Sequence, residues 1–304
     1  MGYNFREVPC NVCGSRESVS LGRRDPKSFA LPEHLLANIV RCRECGLLYP
    51  NPMPFADEKQ IQENYGAPEE YFPAALSRQR FDFYRRIIRR IEKMLGHKGR
   101  LLDIGCGRGE LLSVAAGEGW QAQGVEYSSR FAEYAKKKFG VEVAIGDLDN
   151  LQPTPDSFDA VCLVSVLQHV YDPKKLLTSV RKVLKDDGLL FIETMNNAGM
   201  VYRLGDLYNV LRGRNITTNL SPTFPSYQIY GFSPESLRRL FRETGLCPVK
   251  IKIKGGISRT EKISVKSAGD LALRLVRAAI MFLSGVFNQG QVIMAYVRKA
   301  GGNR

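Results

Sequence analysis

Apolar and polar positions follow two rhythms along this chain. From Gly99 onward, short apolar runs alternate with stretches whose apolar residues recur at helical spacing. The runs predict strands at Arg100 to Ile104, Gln121 to Glu126, Glu142 to Ile145, Phe158 to Val164, Gly188 to Glu193, Pro248 to Lys254 and Gln291 to Arg298. Helical patterns fall at Glu110 to Glu118, Arg130 to Phe139, Pro173 to Leu184, Pro234 to Thr244 and Ala268 to Val286. Pro173 and Pro234 each stand where a helix would begin, with Asp172 and Ser233 as N-caps. Such alternation points to an α/β fold, a parallel sheet with crossover helices.

Before Gly99 the pattern changes. Residues 1–55 hold four of the seven cysteines. Residues 56–98 are charged and aromatic, and Arg80 to Ile91 set apolar residues at helical spacing between arginines, predicting a helix that ends near Gly96. Met195 to Phe232 breaks the alternation with Tyr, Arg, Asn and Pro, and an insert of this length reads as a lid or binding loop. The reading is therefore a small segment 1–55, a helical linker or cap 56–98, and a main domain 99–304 with residues 195–232 as a lid.

Composition changes this picture in two ways. The formal charge of +13 favours anionic partners without choosing a fold. Eleven Lys and Arg against two acids lie in Pro248 to Arg304, around an apolar helical stretch. That stretch reads either as a helix packed on the sheet, as an interfacial helix at a membrane surface, or as part of an electrostatic track for RNA. The N-terminus has no apolar signal segment, and the apolar run Ala278 to Phe287 is too short to span a bilayer. A cytoplasmic protein, in contact at most with a membrane surface, is expected, with cysteines as thiols or metal ligands.

Chemistry concentrates in Leu101-Leu102-Asp103-Ile104-Gly105-Cys106-Gly107-Arg108-Gly109-Glu110. A strand ends in Asp, alternating glycines follow, and a helix begins, so the backbone can pass close beneath a ligand. A ligand-free strand-to-helix turn is the plain alternative. Glu126 ends the next strand, where a carboxylate can accept both hydroxyls of a ribose, and Asp147 ends the third, where it can accept from an exocyclic amine. A dinucleotide fold would need G-x-G-x-x-G, whereas Gly105, Gly107 and Gly109 strictly alternate.

The succession D-I-G-C-G-R-G, V-E-Y-S, G-D-L, S-F-D-A-V, L-Q-H-V and V-L-K-D-D-G-L-L-F-I-E-T resembles the class I S-adenosylmethionine-dependent methyltransferases, in particular the branch that modifies small molecules, sugars and lipids. The resemblance spans roughly Gly99 to Arg298. It implies a Rossmann-like, seven-stranded, mostly parallel sheet with flanking helices, and S-adenosylmethionine as cofactor. It places Asp103, Gly105, Cys106 and Gly107 around the methionine part, Glu126 on the ribose, and Tyr127, Asp147 and Leu148 at the adenine. Ser165 and Gln168 fall near the methionyl group and the transferred methyl.

A second constellation is Cys10-Asn11-Val12-Cys13-Gly14 with Cys42-Arg43-Glu44-Cys45-Gly46, two C-x-x-C-G pairs separated by 28 residues. Four thiolates suit a closed tetrahedral Zn²⁺ site with no open position for water, hence a structural one. With Leu-Leu-Tyr-Pro-Asn-Pro following, the pattern resembles zinc-ribbon segments fused ahead of methyltransferases, some of which act on nucleotide sugars. Ribosomal-RNA methyltransferases also carry such motifs.

The acceptor is less constrained. His169 follows the fourth strand near the expected methyl position, and Tyr227 and Tyr230 lie on the insert where relatives place His and an aromatic residue, so these three are the candidates for a general base. The expectation is a small or lipid-linked, anionic acceptor, with possible peripheral membrane contact through the basic C-terminal segment. An RNA methyltransferase, and a zinc-ribbon interaction protein without catalysis, are the alternatives.

Overall fold

The computed structural model describes residues 3–24, 37–56, 66–71, 77–220, 228–255, 279–280, 282–285 and 287–301. The chain opens with β1 (Asn4–Arg6), β2 (Ser18–Arg24), β3 (Asn38–Cys42), β4 (Leu48–Pro50) and β5 (Met53–Phe55). Helix α1 (Ser77–Leu95) then leads into the alternating region. Its Ile87, Ile88 and Ile91 are buried while Arg86, Arg89 and Lys93 face solvent, the amphipathic division that its spacing predicts.

The alternating region runs β6 (Arg100–Ile104), α2 (Glu110–Gly117), β7 (Gln121–Glu126), α3 (Ser129–Phe139), β8 (Glu142–Ile145), α4 (Leu148–Leu151) and β9 (Phe158–Val164). It continues through α5 (Pro173–Val183), β10 (Leu184–Met195), α6 (Met200–Leu211), β11 (Ile216–Thr217), α7 (Pro234–Glu243), β12 (Leu246–Lys254) and β13 (Val292–Lys299). The central sheet has seven strands in the order β12-β13-β10-β9-β6-β7-β8. β13 runs antiparallel to both of its neighbours and the other pairs are parallel, as the resemblance implies. Leu101, Leu102, Ala160 and Val161 are all fully buried because both faces of these inner strands are covered. One face packs against Ile87, Ile88 and Ile91 of α1, and the other joins a core that includes Leu177 and Val180 of α5 and Leu237 and Phe241 of α7.

Helix starts follow the sequence signals. Asp172 accepts the Lys175 amide at 2.8 Å ahead of Pro173, and Ser233 and Ser236 form a reciprocal capping box ahead of α7. Two features depart from the sequence reading, and one expected helix lies mostly outside the described residues. β10 begins at Leu184, not Gly188, because Leu184 pairs with Phe158 before the register breaks and resumes at Leu189. Most of the expected helix Ala268 to Val286 lies outside the described residues, although residues 279–280 and 282–285 are helical. The insert is not a plain loop, since it contains α6 and β11.

β11 does not join the central sheet. It pairs in parallel with β2, Ile216 opposite Arg23 and Thr217 opposite Arg24, and completes a four-stranded sheet β11-β2-β3-β4 with the N-terminal segment. Leu48 and Gly231 exchange backbone hydrogen bonds of 2.9 and 3.0 Å in a second link between the segment and the insert. Asp206 of α6 fixes the strand in place. Its carboxylate accepts the Thr217 and Thr218 hydroxyls at 2.8 and 2.7 Å, the Thr218 amide at 2.7 Å and the Asn219 side-chain amide at 2.6 Å.

Asp206→Ala removes all four of these bonds, each with a net value of about 1 kcal/mol. The expected outcome, read by hydrogen exchange, is faster exchange at residues 216–219 and unchanged protection of β6 and β9. Uniform loosening of the central sheet would contradict a local role.

Candidate active site and cysteine cluster

The strands β6 and β9 lie side by side at the centre of the sheet, and chain order runs outward from them in opposite directions. In open parallel sheets, ligands bind beyond the carboxyl ends of the strands at such a reversal. The glycine loop is at this edge. Gly105, Gly107 and Gly109 all have positive φ, at 66°, 54° and 81°. A Cβ on Gly105 would lie 2.6 Å from a Val166 methyl carbon, whereas one on Gly107 would meet nothing within 4 Å. The loop is therefore closed on the β9 side and open at its tip.

Glu126 secures that tip. It is 2% exposed, and its carboxylate accepts the Gly107 amide at 2.8 Å and the Ser128 amide at 2.9 Å. Burial raises its pKa, and the amide donors oppose the rise. Each of these oxygens keeps a second lone pair that a hydroxyl can use. Asp103 is equally buried, and its Oδ1 has no hydrogen-bond partner among the described residues. Burial, then the neighbouring Glu126 and Glu110, hold its carboxyl well above the usual range. An orphaned buried acceptor of this kind suits a cationic or donor-rich ligand. Glu110 itself is neutralised by Arg108 and by Arg80 of α1.

The other expected cofactor residues divide. Cys106 is buried and packs with Leu112 and Ala135, a small core residue with its thiol pKa pushed up by burial. Tyr127 is half-buried beside Glu126, and Leu148 is buried in the main core. Asp147 is exposed and serves as the N-cap of α4, accepting the Asn150 amide at 3.1 Å. Ser165 has a left-handed φ of 57°, and its hydroxyl donates to Glu193 at 2.7 Å. Gln168 is buried; its side chain accepts from the Thr194 hydroxyl, and its carbonyl accepts the Ile229 and Tyr230 amides, which ties the insert to the end of β9.

Of the three base candidates, His169 is half-buried at the end of a single helical turn, Leu167–His169. Tyr227 lies outside the described residues. Tyr230 is buried, donates its hydroxyl to the Tyr171 carbonyl at 2.9 Å, and has its pKa raised by burial. To act as a base it would first have to lose the proton it donates to that carbonyl, which burial disfavours. Sequence reasoning missed Glu193, Arg80 and Tyr84. The lone acid in Leu189-Leu190-Phe191-Ile192-Glu193 was the available signal for the first.

Cys10, Cys13, Cys42 and Cys45 come together as expected from their spacing. Their sulfurs all lie within 4.8 Å of one another, with Cys10 to Cys45 at 3.4 Å and Cys13 to Cys42 at 3.5 Å. Tetrahedral Zn–S bonds of about 2.3 Å would set these edges near 3.8 Å. Gly14 and Gly46, at φ of 77° and 73°, turn each pair so that their amides donate to the Cys10 and Cys42 carbonyls. The Cys10 and Cys45 sulfurs share a hydrogen bond that favours the Cys10 thiolate, the form in which a cysteine binds a divalent cation. The set fits zinc.

Comparison with known proteins concerns the part of the chain that carries the central sheet. A family profile described as a methyltransferase domain matches residues 76–251. The chain is 29% identical over 138 residues to a ubiquinone biosynthesis O-methyltransferase of Coxiella burnetii, covering 43% of this chain and 57% of that protein. It is 30% identical over 155 residues to the protein of the same name in Chromobacterium violaceum, covering 48% and 64%. The match thus spans less than two thirds of these relatives. Among solved structures, the fold is similar to a SAM-dependent methyltransferase from Archaeoglobus fulgidus, with a TM-score of 0.51, 21% identity, and coverage of 72% of this chain and 94% of that one. A profile covering more than half of the chain, a glycine loop at the sheet reversal and a seven-stranded sheet with one antiparallel strand lead to one assignment: the chain belongs to the methyltransferase-domain family.

Proposed function

We propose that this enzyme transfers a methyl group from S-adenosylmethionine to a small or lipid-linked, anionic acceptor, and that a structural zinc ion in residues 1–55 braces the insert 195–232 that covers the acceptor. The observation that carries the reading is the convergence of Asp103, the open tip at Gly107 and the buried Glu126 at one strand edge. In this reading Glu126 takes the ribose hydroxyls, Tyr127, Asp147 and Leu148 border the adenine, and Asp103 and the loop receive the methionyl part. When bound, the cofactor supplies a methyl group on a sulfonium, open to in-line displacement. The chain's contribution is alignment and exclusion of water. Ser165 and Gln168 line the end of β9, and His169 follows them as the candidate to receive a proton if the acceptor must lose one.

The insert supports an acceptor at or near a lipid surface. Leu204, Leu207, Tyr208 and Leu211 of α6 recur at helical spacing and are 40%, 52%, 52% and 77% exposed. Arg203, Arg212 and Arg214 are exposed beside them. Phe282, Leu283 and Phe287 are also exposed, on the segment whose Gln289 carbonyl accepts the Met200 amide at the start of α6. Apolar ridges flanked by arginine suit an anionic interface. Among the described residues no helix is long and apolar enough to cross a membrane. The relatives' names, which specify a ubiquinone-pathway acceptor for those proteins, agree with a small acceptor.

Three outcomes follow. The purified protein carries one zinc per chain, and Cys42→Ser with Cys45→Ser loses it and speeds hydrogen exchange across residues 216–219 and 228–232; full zinc retention rejects the site.

Glu126→Ala weakens S-adenosylhomocysteine binding about ten- to hundredfold, the equivalent of about 1.5–3 kcal/mol for a lost charge-assisted bond. Asp103→Asn weakens it too, yet stabilises the ligand-free fold at neutral pH. The folded-state pKa of Asp103 is raised, so ionisation favours the unfolded chain once pH exceeds the ordinary carboxylate range, and the variant escapes that penalty. Its melting temperature should exceed the wild-type value at neutral pH, by roughly 2–4 °C per kcal/mol. The gap should close as pH falls towards about 4.

The protein floats with anionic liposomes, and Leu207→Glu with Leu211→Glu abolishes flotation. Tight, steeply salt-dependent RNA binding with methyl incorporation into RNA would overturn the acceptor assignment.

A further inference from the structure

Glu193 is a buried carboxylic acid at the carboxyl end of β10, 8% exposed, and none of the roles above uses it. Its side chain lies on the same face of the sheet as Asp103. Leu101 precedes Asp103 by two residues, and Leu189 and Phe191 precede Glu193 by four and two; all three are buried in the cluster with Ile87 and Ile88 of α1. β9 runs between the two acids. Asp103 is level with Cys162 and Glu193 with Val164, so the pair flanks the end of β9 where the chain turns at Ser165. Glu193 holds that turn twice: its carbonyl accepts the Ser165 amide at 2.9 Å, and its Oε2 accepts the Ser165 hydroxyl at 2.7 Å.

The roof over this space is α1. Tyr84 lies close enough to feel the charges of both Asp103 and Glu193, and Arg80 donates to the Tyr84 hydroxyl at 2.8 Å. Arg80 also makes an ion pair with Glu110 at 3.4 Å. Among the described residues, no Lys or Arg lies within ion-pair distance of Asp103 or Glu193, whereas Glu110 has two such partners. Arg80 acts on Glu193 through space but is already paired with Glu110, so two buried carboxyls on one face, with a strand end between them, form a site that is short of positive charge. Burial raises the pKa of each, which is the expected response to that deficit.

We propose that Glu193 is a second anionic anchor, acting with Asp103 on the α-ammonium group of the methionyl tail of the cofactor. The inference rests on the reading that the cofactor occupies this strand edge. A primary ammonium brings three N–H donors and one positive charge, enough to meet Asp103 Oδ1, the Glu193 carboxylate and one further acceptor. It also accounts for the double hold on Ser165, because a fixed strand end keeps the two acids at a constant separation. Glu193 thereby sets the position of the tail, and with it the alignment of the sulfur for transfer.

The test uses the full chain and two neutral-sulfur ligands. S-adenosylhomocysteine carries the ammonium-bearing tail, and 5′-methylthioadenosine lacks it while keeping the nucleoside. Titration calorimetry should find that Glu193→Gln weakens S-adenosylhomocysteine about tenfold or more and leaves 5′-methylthioadenosine within about twofold. Unchanged affinity for S-adenosylhomocysteine, or equal losses for both ligands, would overturn the proposal. A wild-type protein that binds neither ligand would overturn the underlying cofactor reading as well, which separates the two failures. Should the Gln variant not fold, Glu193→Asp keeps the charge with a shorter reach. It should again weaken only the ligand with the tail, and parallel losses would again refute the assignment.

Discussion

Asp103, Glu110, Glu126 and Glu193 are all removed from water at one edge of the central sheet, and the cost of keeping carboxylates there constrains what surrounds them. Each is answered differently. Glu126 is met by backbone amides of the glycine loop and of the start of α3. Glu110 is met by two arginines, one of them delivered by α1. Glu193 is met by a serine in a left-handed turn. Asp103 keeps an oxygen without a partner. The glycine spacing, the packing of α1 over the sheet and the turn after β9 can all be read as consequences of this one electrostatic demand. Its unsatisfied remainder is the property a cationic cofactor would complete.

The N-terminal segment and the insert share a second sheet. β2 and β3 come from one end of the chain and β11 from beyond the fifth parallel strand, yet they share one sheet. The cysteines lie in the same apolar core as Tyr230 and Phe232, so the knuckles and the return of the insert are packed against each other. Tyr171 adds a further tie, stacking on Phe55 at 4.9 Å and donating to the Pro54 carbonyl. Whatever orders the cysteines therefore also orders the return of the insert.

The parallel strands, the glycine loop, the capped helices and the cysteine grouping were legible because each depends on local spacing. That Asp103 and Glu126 end neighbouring strands, and that Cys10, Cys13, Cys42 and Cys45 gather, could be read from neighbouring residues alone. What stayed hidden depends on distant partners. Lys185-Asp186-Asp187 reads as a turn, but Leu184 pairs with β9 ahead of it. Ile216-Thr217 is too short to read as a strand and becomes one only because β2 offers an edge. Asp147 looks like a ligand residue and is also a helix cap, since the same carboxylate geometry serves both. Tyr230 looked available for chemistry until its hydroxyl was found bonded to Tyr171, 59 residues away in sequence.

The pairing of β2 with β11 also sets an order of events in folding. Arg23 and Ile216 are neighbours in the sheet, although most of the chain separates them. Closing a loop of that length is slow, and its entropy must be met before the contact is rewarded. During synthesis β2 emerges long before its partner, so its outer edge waits unpaired while the central strands are made. An unpaired edge invites association with other chains. Charged residues on such an edge disfavour that association, and β2 ends in Arg23 and Arg24, the two residues that β11 pairs with.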